Sequence, residues 1–432
     1  MGSDIMRLPY RGGNWNNGSN AGLAALNLNN SRVNTNTNIG FRPAFGSSQK
    51  ATPHGALSSA LSKGCRCLGY RRKTEQAAPV RRAADFKALM YDQIISFDNL
   101  HQAALRCLCG KRTSPAALRY MQRLEEHLHD THNHLLHDSY QPGGYEEFYV
   151  FEPKQRLISA PRFVDRVVHR AIMNVLEPTL DPRFIFDSYA CRKGKGVHAG
   201  ANRAQRWMRA IRQAHGPLFC LKADISKYFA SIDHARLKAI LRRHIHCDRA
   251  LRLLDAIIDS SPGRPGVGIP LGNLTSQLFA NLYLNELDRY AKHDLGIRYY
   301  IRYMDDFVVL HHDKAQLQAW RARIEQFLWS ALRLTTNSKT QIFPVGPDNG
   351  RALDFLGYRI YPTHRLLRKN SIKRILYKLR RFKRAIAAGR LTAGDCRPCI
   401  QSWCAHAAHA NTWRLRCSLF NISRGQIDEL LI

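Results

Sequence analysis

Two adjacent carboxylates, Asp305 and Asp306, lie between two short apolar runs rich in aromatic and β-branched residues. The runs, 299–303 and 307–310, are typical of strands, and the Met-Asp-Asp step between them predicts a tight turn. Neighbouring like charges repel, so the pair costs folding free energy unless a divalent cation binds it. The alternative is an ordinary turn, because Asp side chains hydrogen-bond their own backbone in many proteins.

A third carboxylate, Asp224, comes near the end of another apolar run, residues 218–225. Two strands that present three carboxylates can hold two Mg²⁺ ions roughly 4 Å apart. One ion would serve an attacking hydroxyl group and the other a triphosphate. The pattern therefore favours phosphoryl transfer, in which catalysis is mainly positioning and charge neutralisation.

The chain has 432 residues and a formal charge of +33, from 66 Lys+Arg against 33 Asp+Glu. This excess suits a polyanion and is large for an enzyme of small metabolites. A membrane surface is the competing partner. However, we find no apolar run of ~18 residues and no signal-peptide pattern, so an intracellular protein without membrane attachment is expected. Eleven scattered cysteines favour reduced thiols in a cytosol.

Composition divides the chain before any fold is considered. Residues 1–46 are rich in asparagine and poor in apolar residues, which predicts a segment without a packed core. Residues 47–83 are small and basic and are typical of a linker. Beyond them, periodicity predicts helices and strands. A hairpin is expected over 148–159 and a strand over 355–360. A basic helix is expected from Asn370, and a last helix contains Trp403 and Trp413. The other helices are expected at about 84–105, 115–137, 165–176, 231–245, 278–292 and 314–332.

Three other patterns suggest sites less strongly. Five histidines on the predicted 115–137 helix could chelate a metal ion, but no acid or Cys completes a set, so a solvated polar face is favoured. Cys396, Cys399, Cys404, His406 and His409 contain a Cys-x₂-Cys spacing, yet the flanking tryptophans favour helix packing over zinc. The basic glycine loop 188–196 lacks the spacing of a nucleotide-binding P-loop.

The order of motifs resembles that of reverse transcriptases from about residue 84 to the end of the chain. A basic hairpin precedes the Asp224 run, and a Pro-x-Gly loop, the Tyr-Met-Asp-Asp turn, a Lys loop and Phe-Leu-Gly-Tyr follow. The resemblance implies an α+β fold, a right-hand polymerase with an antiparallel palm sheet packed on helices. The implied regions are 84–200, N-terminal helices and fingers; 201–362, palm; and 363–432, a basic helical thumb and tail.

Residues 269–277, 187–196 and 355–364 are similar to reverse transcriptases of diversity-generating retroelements, within the branch shared with group II introns. Such elements copy a template repeat into a target gene with substitutions at template adenines. Asparagine codons are rich in adenine, and residues 11–43 resemble a translated repeat of the lectin-like target type. Residues 1–46 are therefore interpreted as repeat-derived reading frame.

The resemblance implies a role for each candidate residue. Asp224 and Asp305 would bind both metal ions, Asp306 one of them more weakly, and the Ile225 carbonyl would complete the nucleotide-side ion. The metal would be Mg²⁺, with Mn²⁺ as a possible substitute. Lys339 would protonate the pyrophosphate. Lys154 and Arg156 would bind the triphosphate, and Phe229 would exclude a ribose 2′-hydroxyl. The nascent base pair would contact Leu271, Gly272 and Gln277. The primer grip would consist of Phe355, Leu356, Gly357 and Tyr358.

The implied partners are template RNA, a primer 3′ end, deoxynucleoside triphosphates and a basic or oligomeric accessory protein. A bacterial or phage-encoded cytoplasmic enzyme is expected. A group II intron-type reverse transcriptase with maturase function is one alternative. Gln277 argues against it, because other bacterial reverse transcriptases usually place Pro there and Gln at the position of Leu271, and so does the lack of a C-terminal endonuclease cysteine set. A non-catalytic RNA-binding protein on the same fold is another, although a binder would have no reason to keep a repulsive carboxylate pair.

Overall fold

A computed structural model describes residues 83–110, 113–151, 155–347 and 350–420. Four helices open this part of the chain: α1 (Ala83–Ile95), α2 (Phe97–Leu108), α3 (Pro115–Gln122) and α4 (Leu124–Leu136). The single helix predicted over 115–137 is wrong, because Arg123 leaves the helical region with φ −129°. The helix predicted over 84–105 is likewise divided at Ser96, whose side chain accepts a hydrogen bond from the Asn99 amide and caps α2.

The predicted hairpin is present, as β1 (Tyr145–Val150) paired antiparallel with β2 (Arg156–Pro161). The long helix α5 (Phe163–Leu180) follows it and buries apolar residues at helical spacing, including Val167, Val168 and Ile172. It packs against α2 and against α10 (Leu274–Arg289). These contacts join the N-terminal helices to the centre of the molecule.

The central sheet has four antiparallel strands in the order β4-β5-β3-β6. Their bounds are β3 (Phe219–Asp224), β4 (Tyr300–Tyr303), β5 (Asp306–His311) and β6 (Gln341–Pro344). All four residues of β4 are buried, as are the first five of β5. Such continuous burial fits strands covered on both faces.

Helices surround this sheet: α6 (Val197–His215), α7 (Tyr228–Ser231), α8 (His234–His244), α9 (Asp248–Asp259), α10, and α11 (Lys314–Leu332). α6 contacts β4 and β5, and α11 contacts β3, β5 and β6. The side chain of Asp233 accepts a hydrogen bond from the Arg236 amide at the start of α8. α10 is almost fully buried although half of its sixteen residues are polar, and it passes into a π-helical turn, Tyr290–Asp294. The mixed helical and antiparallel fold class is confirmed.

A second sheet contains three short strands, β7 (Leu353–Phe355), β8 (Tyr358–Ile360) and β9 (Arg365–Leu367). The single strand predicted over 355–360 is wrong, because Leu356 and Gly357 form a two-residue turn with φ +53° and +86°. Positive φ at both turn residues is the requirement of a type I′ hairpin, and glycine meets it without strain.

Three helices end the described chain: α12 (Lys369–Ala387), α13 (Ala393–Ala408) and α14 (Trp413–Phe420). The predicted last helix is therefore two helices, and Trp403 and Trp413 lie on different ones. None of the described cysteines forms a disulfide bond. No helix in the described ranges is long and apolar enough to span a lipid bilayer.

Candidate active site

The ends of two neighbouring strands bring the carboxylates together. Asp224 and Asp306 are register partners across β3 and β5. The turn consists of Met304 and Asp305, so Asp306 belongs to the strand and not, as predicted, to the turn. Met304 has φ +55°, a strained conformation for a residue with a side chain. The Ile225 amide donates to the Asp305 carbonyl over 3.2 Å and ties the turn to the end of β3.

The electrostatics of this cluster favour a cation. Burial and the neighbouring Asp224 carboxylate raise the pKa of Asp305 to about 7. Burial also raises the pKa of Asp306, against the opposing effect of Lys222. One carboxylate oxygen of each, Oδ1, is buried without a hydrogen-bond partner. An unpaired buried carboxylate oxygen is costly, and a bound cation would satisfy it.

Arg156 supplies the opposite charge at the same place. Its Nη1 is buried without a hydrogen-bond partner. Burial lowers the pKa of Arg156, whereas the charges of Asp305 and Asp224 act to raise it, which places the guanidinium near both carboxylates. This arrangement matches a metal-bound triphosphate. The metal cation would complement the unsatisfied carboxylate oxygens, and the phosphate anion would complement the unsatisfied guanidinium nitrogen.

Asp306 is held by Lys222, whose Nζ donates to Asp306 Oδ2 over 3.1 Å and to the Asp354 carbonyl over 2.7 Å. The Asp354 carboxylate in turn pairs with Arg368, the residue before α12. Among the described residues, no group of three or more His, Cys, Asp or Glu could hold a metal ion. With Asp306 paired to Lys222, Asp224 and Asp305 are the two other carboxylates at this strand end. These still fit Mg²⁺, which commonly uses one or two carboxylates together with substrate phosphates.

A buried ion pair supports the Met304–Asp305 turn. Arg302 and Asp288 have fully buried side chains, and two guanidinium nitrogens donate to the two carboxylate oxygens over 2.7 and 2.6 Å. Tyr300 donates to the same carboxylate over 2.8 Å. Arg302 Nη1 donates to the Met304 carbonyl over 3.0 Å and thereby holds the strained residue. We did not predict this pair, although a charge inside an apolar strand signals a buried partner.

Lys339 lies on a loop that is hydrogen-bonded to the end of β3, and Phe229 lies on α7, five residues after Asp224. The Asn337 amide donates to the Asp224 carbonyl over 2.6 Å, which draws the 335–340 loop to the strand end. Lys339, in that loop, has an exposed side chain. Phe229 is 9% exposed, and its carbonyl accepts from the Ile269 amide over 2.8 Å, so it lies where the Pro270 loop begins.

The Leu271 loop lies against the hairpin. The Ser159 amide donates to the Leu271 carbonyl over 2.9 Å, and the Leu271 side chain packs on Val150 and Ile158. Gly272 has φ +136°, and a Cβ there would lie 2.6 Å from the Ser159 carbonyl oxygen, so only glycine allows this approach. Gln277 is partly exposed in the first turns of α10.

The predicted primer-grip residues form the type I′ hairpin, but their side chains face inward. Phe355, Leu356 and Tyr358 are 0%, 4% and 0% exposed. The Tyr358 hydroxyl contacts Nδ1 of His198 over 2.9 Å and Nδ1 of His406 over 3.2 Å. If these residues contact a primer, the backbone of the turn makes that contact and not the buried side chains.

Lys154 lies outside the described residues, and the other remaining candidates are not part of this cluster. Cys396 and Cys404 are buried in the packing of α13, and Cys399 is partly exposed. His406 stacks on Tyr358 at 4.8 Å between ring centroids. The basic residues predicted to line a duplex occupy α12, whose side chains are mostly exposed.

Comparisons with known proteins show what this chain is similar to. Residues 151–360 match the family described as reverse transcriptase (RNA-dependent DNA polymerase). Protein YkfC of Escherichia coli (strain K12) is 29% identical over 290 residues, covering 58% of this chain and 73% of YkfC. The group II intron-encoded protein LtrA of Lactococcus lactis subsp. cremoris is 24% identical over 166 residues, covering 36% of this chain and 27% of LtrA.

Two solved structures illustrate more distant likeness. Apo telomerase from Candida tropicalis, truncated from its C-terminal domain, has a TM-score of 0.42 and 12% identity, covering 52% of this chain and 55% of that chain. A partial Cas6-RT-Cas1–Cas2 complex has a TM-score of 0.35 and 19% identity, covering 56% and 42%.

Proposed function

We propose that this chain, which carries a reverse transcriptase domain over residues 151–360, makes error-prone cDNA from a template-repeat RNA for a diversity-generating retroelement. The observation that supports polymerisation is the pairing of Asp224 with the Asp305 turn beside an unsatisfied Arg156. The observation that supports the element type is Leu271, whose apolar side chain lies against the hairpin where a hydrogen-bonding residue is usual in other bacterial enzymes.

In the proposed mechanism, Asp224 and Asp305 would hold Mg²⁺ together with the Ile225 carbonyl, and Asp306 would stay paired with Lys222. The metal, when bound, would supply charge neutralisation at the attacking hydroxyl group and the triphosphate. Arg156 orients the triphosphate through paired N–H donors, and Lys154 adds a point charge. Lys339 delivers a proton to the departing pyrophosphate from the loop fixed to Asp224.

Two apolar side chains, those of Phe229 and Leu271, would select the nucleotide. Phe229 would exclude a ribose 2′-hydroxyl by its bulk. Leu271 would hold the nascent base pair by shape alone, because leucine neither donates nor accepts a hydrogen bond. A hydrogen bond left unmade costs about 1–3 kcal/mol, so a pocket without one penalises a mismatched pair less. Gly272 and Gln277 complete this side of the pocket.

The same proposal assigns the larger regions. Residues 84–200 form N-terminal helices and fingers, 201–362 the palm, and 363–432 the thumb and tail, with the backbone of residues 355–358 gripping the primer. The exposed cations of α12 follow the duplex backbone. Residues 1–46 derive from a template repeat. The partners are template RNA, primer, deoxynucleotides and an accessory protein, in a bacterial cytoplasm.

The relationship to LtrA favours one alternative, a group II intron-type reverse transcriptase with maturase function. A non-catalytic RNA binder is disfavoured by the unsatisfied carboxylate oxygens, which a binder would not need. The three functions differ in what they do to RNA: the first copies a repeat with adenine errors, the second aids splicing, and the third does neither.

Primer extension with Mg²⁺ on a defined RNA template, followed by sequencing of the cDNA, tests the proposal. The expected result is metal-dependent DNA synthesis with errors concentrated at template adenines. Synthesis with errors spread evenly over the four bases would retain the polymerase and reject the element type. No synthesis with Mg²⁺ or Mn²⁺ would reject the polymerase. A near-copy of the 1–46 coding repeat in flanking DNA, differing at adenines, would identify the target.

A further inference from the structure

Cationic and aromatic side chains alternate along one surface at the β4 edge of the central sheet. The loop before α6 covers this edge, because the Arg302 amide donates to the Asp187 carbonyl and the Tyr189 amide donates to the Arg302 carbonyl, each over 3.0 Å. The loop, α6 and the segment before β4 each contribute residues. We name this surface the cation–aromatic strip, and its residues are Lys195, Phe186, Arg203, Trp207, Tyr299 and Arg298.

Consecutive members of the strip contact one another. The Lys195 ammonium lies 3.3 Å from the centre of the Phe186 ring, and the Arg203 guanidinium lies 5.2 Å from the same centre. The guanidinium of Arg203 is also 4.7 Å from the Trp207 ring. Trp207 meets Tyr299 edge-on at 5.6 Å, and Arg298 lies 5.3 Å from the Tyr299 ring. The strip is therefore continuous across three separate segments of chain.

The surface around the strip is strongly positive. α6 contains four arginines and two histidines but no Asp or Glu. Arg206 and Arg209 are exposed, and neither forms an ion pair in the described part of the chain. Asp187 beside the strip is already neutralised, since it pairs with Arg203 and Lys292 over 3.0 Å each. Like charges at three-residue spacing destabilise a helix, and a bound polyanion would remove that cost.

Packing alone does not account for the strip. Cation–π contacts within the fold explain Trp207, which is 8% exposed. They do not explain Phe186, which remains 64% exposed although cations flank it. Aromatic side chains interleaved with cations bind single-stranded nucleic acids, because unpaired bases stack on the rings while the cations follow the phosphates. Paired bases in a duplex have no free face to offer.

We infer that the cation–aromatic strip binds single-stranded RNA, with an unpaired base stacked on Phe186 and phosphates on Arg206 and Arg209. On the proposed function, this RNA is template that is not paired with primer. The inference thus adds a second RNA-binding surface on α6 and its preceding loop, apart from the carboxylate cluster and from α12.

The test measures binding of the full chain to a fluorescent single-stranded RNA and to an RNA–DNA duplex by anisotropy. Phe186→Ala is expected to weaken single-strand binding about fivefold or more, since base stacking on an aromatic ring is lost. Arg206→Glu with Arg209→Glu is expected to make the slope of log K against log salt shallower by about 1.4. Duplex binding should change less than twofold in each variant. The matched control is Arg119→Glu with Arg323→Glu, which reverses two exposed arginines on α3 and α11.

A direct readout comes from Phe186→Trp, which retains an aromatic ring. Its fluorescence should be quenched by single-stranded RNA, and its affinity should match or exceed that of the original chain. Unchanged single-strand binding in Phe186→Ala and in the double arginine variant would overturn the inference, as would an equal loss of duplex binding. Extension of a primer with a very short template overhang reports the proposed function separately, and the strip variants should retain it.

Discussion

The backbone amide of Ile225 donates a hydrogen bond to the carbonyl of Asp305 over 3.2 Å. This bond continues the pairing of β3 with β5 beyond Asp224 and Asp306. The positions of both candidate metal carboxylates are therefore set by sheet backbone, which is stiffer than any side chain. A geometry fixed in this way can hold two like charges close together before a cation arrives.

Asp305→Asn should abolish DNA synthesis, with a loss of at least about 10³-fold, because a metal ligand contributes several kcal/mol to the transition state. Single-stranded RNA affinity should remain within twofold of the original, since binding depends on the basic surfaces. Primer extension and anisotropy measure the two quantities. Asp294→Asn, an exposed carboxylate, is the control. Near-normal synthesis by Asp305→Asn would disprove the site assignment.

Arg302→Met should reduce the free energy of unfolding by about 3–5 kcal/mol, because Asp288 would keep a buried charge without its partner. Adding Asp288→Asn should recover part of the loss. Urea denaturation gives both values. The exposed pair Arg123–Glu126 is the control, and Arg123→Met should cost less than about 1 kcal/mol. An equal cost at the two positions would contradict a buried, supporting ion pair.

Lys222 and Asp306 should be energetically coupled. A double-mutant cycle of Lys222→Met and Asp306→Asn should give an interaction free energy of about 1–3 kcal/mol, because each single change leaves the other group without its partner. The Lys238–Asp259 pair, in which Asp259 is 57% exposed, should give less than about 1 kcal/mol. Lys222→Met should also weaken primer–template binding, since it releases the Asp354 carbonyl of the hairpin strand. Additive effects in the first cycle would show that the contact contributes nothing.

Much of the central sheet could be predicted from sequence. The apolar runs around Asp224 and Asp305 identified β3, β4 and β5 because fully buried strands need such runs. α11 was predicted with its observed bounds, Lys314–Leu332. Local patterns sufficed there, since each element is specified by its own residues.

The interactions that place the site could not be predicted. Arg302 and Asp288 are on different elements, as are Lys222 and Asp354, and no local pattern connects them. The break at Arg123 and the turn at Leu356–Gly357 were also missed, because apolar periodicity continues through both. The inward direction of Tyr358 depends on His198 and His406, which are far away in sequence.

Leu271→Gln should lower misincorporation opposite template adenine while synthesis continues. Glutamine would restore hydrogen bonds that discriminate against misaligned pairs. Because Leu271 packs on Val150 and Ile158, a stability cost of about 1 kcal/mol should accompany the change. Sequencing cDNA from both enzymes on one template measures the effect, and Leu271→Met, which keeps an apolar chain, should retain the original error rate. An unchanged adenine error rate in Leu271→Gln would locate the selectivity elsewhere.

The junction between α6, β8 and α13 should weaken in acid. Burial, together with the nearby His409, His406 and Arg365, lowers the pKa of His198 to about 3 from an ordinary 6.5. Below about pH 6.5, His198 is protonated in the unfolded chain but stays neutral in the folded chain. The free energy of unfolding therefore decreases as pH falls below about 6.5. At pH 5 the loss from His198 is about 2 kcal/mol.

His198→Gln should remove that share of the pH dependence. Urea denaturation at pH 7 and pH 5 measures it, with His293→Gln, an exposed histidine, as the control. His406 and His409 remain in the variant, as do other groups with shifted pKa values such as His169 and Asp305, so a residual pH dependence common to all the variants is expected. Identical pH profiles for His198→Gln and the original chain would contradict the assignment.

The strand order β4-β5-β3-β6 also affects how the protein is synthesised. β3 emerges first from the ribosome, yet both of its neighbours are encoded later, the last ending at Pro344. At about 5–20 residues per second, β3 waits roughly 4–17 seconds for β5 and roughly 6–24 seconds for β6, so at least one of its edges stays unpaired throughout. The carboxylate cluster cannot assemble before β5 has emerged. A nascent chain can thus neither copy RNA nor complete its central sheet until most of its length has been translated.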